Sequence, residues 1–270
     1  MGTQITPKVK VEIIKITSFL ASHFFSVWHV IILAISQDED LSVCEDDYEE
    51  YFDGMLVWEN RAFHVHLNVF KKNQKDSKKG RYTLAHELGH YFINAHREGI
   101  KRGLLEPHPS NGALVHSNRM ETEADYFASC LLMPSHELRK FTQGRMFSLD
   151  LVKAISDKFN VSLIAAALRF AEVGTHEIMI VFSKNNTVKW YTRSVDFPML
   201  ANRFRVGGSL PPTTVAGEAF SKSNARYTTA EAVDLEDWFY YRIGAPSRQL
   251  YEQCFYSDIF GFVVSLIWFT

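Results

Sequence analysis

Residues 86–90 read His-Glu-Leu-Gly-His. On a helix, positions four apart lie on one face, so His86 and His90 can present two imidazole nitrogens to a single metal ion. Glu87 is offset by one residue and can reach a water on that ion without filling its coordination shell. HExxH on a helix is the arrangement of zinc peptidases, with the metal activating water and the glutamate acting as general base. Two histidines and a glutamate can also meet by chance on a solvated polar face, so five residues alone are moderately specific. The flanks favour the metal reading. Leu84, Leu88, Phe92 and Ala95 supply an apolar face that can bury the helix. Gly89 costs about 1 kcal/mol of helix propensity relative to alanine, which suggests that another element packs close beside the ligands.

A catalytic zinc site usually has three protein ligands and one open position. One choice for the third is His96, which gives an HExxHxxGxxH spacing. The glycine position of that pattern is Ile93, and the run Ile93-Asn94-Ala95 offers no evident turn. The other choice is the run Glu121-Thr122-Glu123-Ala124-Asp125, opening the next helix. Glu121 and Asp125 share a face, so one carboxylate can bind the metal while the other accepts the second ring N–H of a ligating histidine and fixes its tautomer. Glu123 lies roughly 200° from Glu121 on a wheel of about 100° per residue and is the weaker candidate. An acid-rich helix start is also what the helix dipole favours by itself. A tetrahedral intermediate needs a further donor; His108, His116 and Tyr91 are available, and the sequence singles out none of them.

These side chains need elements to hold them. Met55–Trp58 and Ala62–Val69 alternate like strands around a turn at Glu59-Asn60-Arg61. Lys71 to Arg81 reads as a basic connector, with helix from about Tyr82 to Ala95. Residues 98–118 read as a loop with Gly99, Gly103, Pro107, Pro109 and Gly112, and the next helix runs from near Glu121 to before Pro134. Residues 147–172 form a helix–turn–helix-like pair, with Val152, Ile155 and Phe159 at helical spacing, Asn160-Val161 as the turn and Ser162 as a cap for Leu163–Ala171. From Glu177 the pattern changes to strands, with a turn at Lys184-Asn185-Asn186 and a core strand at Phe262–Phe269.

Composition narrows the class. With 46% hydrophobic residues and a formal net charge of −2 over 270 residues, the chain has ample core and no bulk basic character that marks a nucleic-acid binder. Residues 38–53 hold nine acidic and no basic residues and read as a solvated loop and helix face. Cys44, Cys130 and Cys254 are widely separated and form no CxxC, which argues against disulfides and cysteine-bound zinc and for a reducing, cytoplasmic setting. The apolar run at 19–36 follows several lysines and ends in Ala34-Ile35-Ser36, features of a targeting segment. His23 and His29 interrupt it, so a buried helix or helix–turn pair fits better than a membrane anchor. The aromatic run Trp238, Phe239, Tyr240, Tyr241 reads as core.

RYTLAHELGHYF at 81–92 followed by ETEADYFASCLLMP at 121–134 resembles the ImmA/IrrE family of metallopeptidases, and FDGMLVWENRAFHVHLN at 52–68 is similar to the strand region before that family's metal helix. The resemblance covers about residues 10–172. It implies His86, His90 and Glu121 as ligands of Zn2+ (or another divalent metal such as Mn2+), with Glu87 as general base; Asp125 is then the carboxylate behind a ligating histidine. It further implies a zinc-dependent endopeptidase that cleaves a repressor-type transcription regulator governing a mobile element or stress response. The expected fold is α+β: a small zincin-like metallopeptidase domain (1–140), a helix–turn–helix-like extension (141–174) and a C-terminal mixed α/β, GAF-like sensor module (175–270). The competing reading is a non-proteolytic regulatory or antitoxin-like protein acting through the helix pair. That pair carries Lys153, Lys158 and Arg169, but SLIAAALRF is too apolar to read bases, and a binding protein has no need of Glu87.

Overall fold

The computed structural model describes residues 5–26, 29–105, 118–174, 176–220, 228–240, 246–257 and 261–270. In chain order the elements are α1 (Pro7–Phe24), α2 (Ile32–Asp38), β1 (Ser42–Asp46), β2 (Gly54–Glu59), β3 (Ala62–Asn68), a 3-10 turn (Val69–Lys71), α3 (Lys78–Phe92), α4 (Asn94–Lys101), α5 (Arg119–Leu132), α6 (Ser135–Thr142), α7 (Leu149–Phe159), α8 (Leu163–Val173), β4 (Ile178–Lys184), β5 (Thr187–Arg193), α9 (Val215–Ala219), β6 (Glu231–Val233), α10 (Leu235–Trp238), β7 (Leu250–Ser257) and β8 (Phe262–Phe269). The fold is mixed α+β, as the sequence predicts. The chain forms two compact units: residues 1–137 with 155–165, and residues 138–154 with 166–270.

In the first unit a three-stranded sheet of order β1-β3-β2 lies beside the helices. β2 and β3 pair antiparallel, with Glu59 opposite Ala62. Asn60 and Arg61 between them have φ of 52° and 66°, the two left-handed residues of a tight hairpin whose twist matches its strands. β1 adds parallel to β3, Ser42 opposite His64. The acidic stretch is therefore not all loop and helix face: its middle is a strand, a fact that its charge concealed. Asn68 is fully buried and holds the following turn, accepting from Tyr48 N and donating to the carbonyls of Glu49 and Phe52. The apolar run at 19–36 divides between α1 and α2, with Leu20, Ala21, Ile32 and Ile35 buried. No helix among the described residues is long and apolar enough to cross a membrane.

The helix of the HExxH motif starts earlier than Tyr82. Ser77 caps it, accepting from Gly80 N at 2.9 Å, a serine signal that the run of lysines masked. Three of those lysines are neutralised locally: Lys75 by Glu45, Lys78 by Asp157 and Lys79 by Asp53. The helix also stops early, at Phe92. Ile93 is extended (φ −75°, ψ 105°) and buried, and α4 starts at Asn94. A turn thus exists where the sequence offered none. Burying the Ile93 side chain, with Asn94 a poor helix-interior residue, outweighs continuing the helix. Ala95 consequently faces solvent rather than the core.

α3 packs along α5, and α1 along α5. Gly89 sits at the closest approach: a Cβ there would lie 3.1 Å from Ala124 Cα and 3.1 Å from Phe127 Cβ. The close neighbour inferred from the glycine is therefore α5. Leu84, Leu88, Phe127, Ala128 and Leu131 fill the interface with no measurable exposure, each large side chain contributing about 2 kcal/mol of burial.

The second unit is built on a five-stranded sheet, order β5-β4-β8-β7-β6, with antiparallel pairing throughout its described ladders. β8 is central and buried along nearly its whole length, which is why it reads as a continuous apolar run rather than an alternation. Asn185 and Asn186, φ 50° and 54°, make the same kind of two-residue turn between β4 and β5. On one face Met179, Val181, Phe197, Trp238, Phe239, Cys254 and Ile267 form the core; Tyr240 is exposed and Tyr241 lies outside the described residues. α7 and α8 form as expected around Asn160, φ 50°, with Ser162 Oγ accepting from Ala165 N at 3.2 Å. Along α8, Ala166, Ala167, Arg169, Phe170 and Ala171 are buried, and Arg169 is paired with Glu172.

Candidate metal centre

His86 and His90 lie one turn apart on α3 and face the first turn of α5. Their Nε2 atoms are 3.2 Å from each other. The carboxylate of Glu121 reaches both, at 3.2 Å from His86 Nε2 and 3.3 Å from His90 Nε2. All three side chains are buried. This spacing tests the fit of a metal. Bonds of about 2.0–2.1 Å in tetrahedral zinc geometry place neighbouring ligand atoms about 3.3 Å apart. Among the described residues this is the only trio of histidine, cysteine or acidic side chains so gathered.

The electrostatics favour a cation at that point. Burial works against a charge on His86, but hydrogen bonds to Asp125 and Glu121 and the nearby Glu87 outweigh it and raise its pKa well above the usual 6.5. Burial likewise opposes ionisation of Glu121, yet its contacts with the two imidazoles hold its pKa well below the ordinary 4.5. With two carboxylates around one imidazole, the pocket favours positive charge, which a metal ion would supply.

Each residue singled out from sequence can now be placed. Asp125 Oδ1 is 2.9 Å from His86 Nδ1, on the far side of the ring from the donor triangle. It also receives Tyr82 OH at 3.4 Å, a partner sequence reasoning missed although Tyr82 stands four residues before His86. Glu87 is 1% exposed and close enough to the donor trio for its charge to act on His86. Tyr91 donates its hydroxyl to Glu39 at 3.0 Å. His108 and His116 lie outside the described residues. His96 does not join the trio: its Nε2 is 3.0 Å from Glu123, while its ring centroid is 5.1 Å from that of His90. Burial and repulsion from His90 lower the His96 pKa to about 4, against the pull of Glu123. Glu123, the weaker ligand candidate, is buried and takes Arg119 Nε at 2.6 Å as a second partner. The pairing of Glu123 with His96, 27 residues away, has no signal in the sequence.

HExxH on one helix with a buried carboxylate from the next is an arrangement that zinc metallopeptidases use to hold their ion. Residues 44–171 match the Peptidase_M78 family, described as the IrrE N-terminal-like domain. Residues 44–171 thus carry an ImmA/IrrE-family domain. No curated protein sequence matches the chain. Among solved structures, one described as a Mycobacterium tuberculosis transcriptional regulator is similar with a TM-score of 0.62 and 13% identity, over 98% of this chain and 77% of that one. At that identity the likeness is one of fold.

Proposed function

We propose that this protein is a zinc-dependent endopeptidase whose substrate is a repressor-type transcription regulator. The observation that carries the reading is the donor triangle of His86, His90 and Glu121, buried beside Glu87 and spaced for one tetrahedral ion. In this reading the three residues hold Zn2+, with Mn2+ as the alternative ion, and Asp125 orients His86. Bound metal would lower the pKa of its water towards about 7 and polarise the scissile carbonyl. Glu87 takes the proton of the attacking water and returns it to the leaving amine. Burial of Glu87 keeps bulk water from competing for that proton. The family supports a protein substrate, and the regulator of similar fold supports a place in transcriptional control.

In the same proposal residues 1–140 are the peptidase domain, 141–174 a helix–turn–helix-like extension and 175–270 a GAF-like sensor module, acting in the cytoplasm. The competing reading, a non-proteolytic regulator binding through the helix pair, is disfavoured by the burial of α8: Arg169 is 2% exposed and paired, so it offers no base or phosphate contact.

The test compares wild type with Glu87→Gln for bound metal and for cleavage of a panel of purified repressor-type transcription regulators, with zinc or manganese added. Metal in both and cleavage by wild type alone, with activity lower in the variant by about 10²–10⁴-fold, is the expected outcome. Equal cleavage by both would remove Glu87 from its role. Absence of metal in either, even after zinc addition, would refute the metal centre.

A further inference from the structure

His96 is buried against the metal centre without belonging to the donor triangle. The break at Ile93 brings it back from α4 until its ring lies 5.1 Å from that of His90, tilted by 40°. Its Nε2 and Glu123 Oε2 are 3.0 Å apart, and the other Glu123 oxygen receives Arg119 Nε at 2.6 Å. The His96 and Glu123 side chains are 3% and 7% exposed. A carboxylate engaged by a guanidinium accepts hydrogen bonds only, so Nε2 of His96 carries the proton and the tautomer is fixed. The remaining ring nitrogen, Nδ1, is buried with no hydrogen-bond partner. Core packing alone does not call for this residue: phenylalanine or leucine would fill the space and leave no lone pair stranded.

Resting on the metal-centre reading above, we propose that His96 is a positioning residue for His90. Arg119 and Glu123 stand on α5, the helix that carries Glu121, and hold the His96 imidazole by its far edge. The ring in turn backs the imidazole of His90 on α3. The chain Arg119–Glu123–His96 thereby ties the His90 ligand to the helix of the Glu121 ligand and sets the 3.3 Å between their donor atoms. A ligand ring held at one orientation binds metal more tightly than one that must be ordered on binding.

His96→Gln separates this role from a simple strut, because the glutamine amide can still donate to Glu123 while the ring behind His90 is gone. Zinc affinity is measured by chelator competition, the visible spectrum of the cobalt(II)-loaded protein is recorded, and the metal-free protein is melted as a check on folding. The expected result is a metal-free midpoint near wild type, zinc affinity lower by about 10- to 100-fold, and a changed cobalt spectrum. Unchanged affinity and spectrum would overturn the proposal. Should His96→Gln not fold, Arg119→Gln at the half-exposed end of the chain replaces it, with a smaller loss in the same direction expected and no loss overturning the role. His86→Ala distinguishes the two readings. If it keeps wild-type metal uptake, or if wild type takes up none, the metal centre fails and the positioning role with it. If it loses metal while His96→Gln keeps wild-type affinity and spectrum, the positioning role alone falls.

Discussion

Asp125 and His86 show how much of the centre depends on single atoms. Asp125 holds the ring nitrogen of His86 that faces away from Glu121 and His90, so it sets which nitrogen faces those two donors. Asp125→Asn keeps the size but can present an N–H to the ring, and zinc affinity, read by competition, is expected to fall about 10- to 100-fold. The raised pKa of His86 gives a second expectation. In metal-free protein its contribution to stability is complete below its unfolded value near 6.5 and is lost as pH rises through the higher folded value. The depressed Glu121 contributes in the opposite sense: its share is present above about 4.5 and is lost as pH falls. Zinc must displace the proton on His86, so affinity should climb with pH until the folded value is passed, and binding at neutral pH should release about one proton. Calorimetry in buffers of different ionisation enthalpy measures that release; a buffer-independent heat would contradict the protonated resting state. At this scale the sequence showed the residue types and their i, i+4 spacing. It did not show Tyr82 on Asp125 or His96 on Glu123, because those contacts join segments 27 to 43 residues apart that only the folded chain brings together.

Between elements, the decisive contact is α3 on α5. The two helices carry all three donors, and Gly89 permits the approach that brings Glu121 to the histidines. Gly89→Val would drive carbon into Ala124 and Phe127, and the helix-propensity gain of replacing glycine is smaller than the cost of overpacking. A loss of about 2 kcal/mol or more is expected, measured by urea unfolding, with weakened zinc binding as α5 is displaced. An unchanged metal affinity in a destabilised variant would show that the helices can separate without spreading the donors. The element boundaries were partly legible. The turns at Asn60-Arg61 and Asn185-Asn186, the end of α5 before Pro134 and the pair α7–α8 follow from turn and cap chemistry in the sequence. The start of α3 at Lys78 and its break at Ile93 do not, because charge density hid the Ser77 cap and the break serves the burial of one isoleucine.

Across the whole molecule, the chain divides into two compact units, residues 1–137 with 155–165 and residues 138–154 with 166–270. The second unit has its own buried charge. Glu252 on β7 has no measurable exposure and accepts from Val215 N, Ala216 N and Trp238 Nε1 at 2.9, 3.0 and 2.9 Å. Burial raises its pKa despite those donors. Glu252→Ala would leave three donors stranded in that core, for a loss of at least about 3 kcal/mol, to be read from denaturant unfolding. A stability equal to wild type would mean that water replaces the carboxylate.

By itself the sequence determined the chemistry on offer. HELGH, with Glu121 and Asp125 one turn apart, can hold a divalent metal because side-chain type and helical period are local properties. It also determined the periodicities that separate the helical first part from the strand-rich second. Tertiary structure decided the rest: that Glu121 rather than His96 completes the donor triangle, that an acidic stretch supplies a parallel strand, and that three lysines of the basic connector are paired with acids. Those outcomes rest on distances between residues far apart in the chain and on which of several polar groups is buried with which. Packing fixes both, and no spacing along the sequence encodes either.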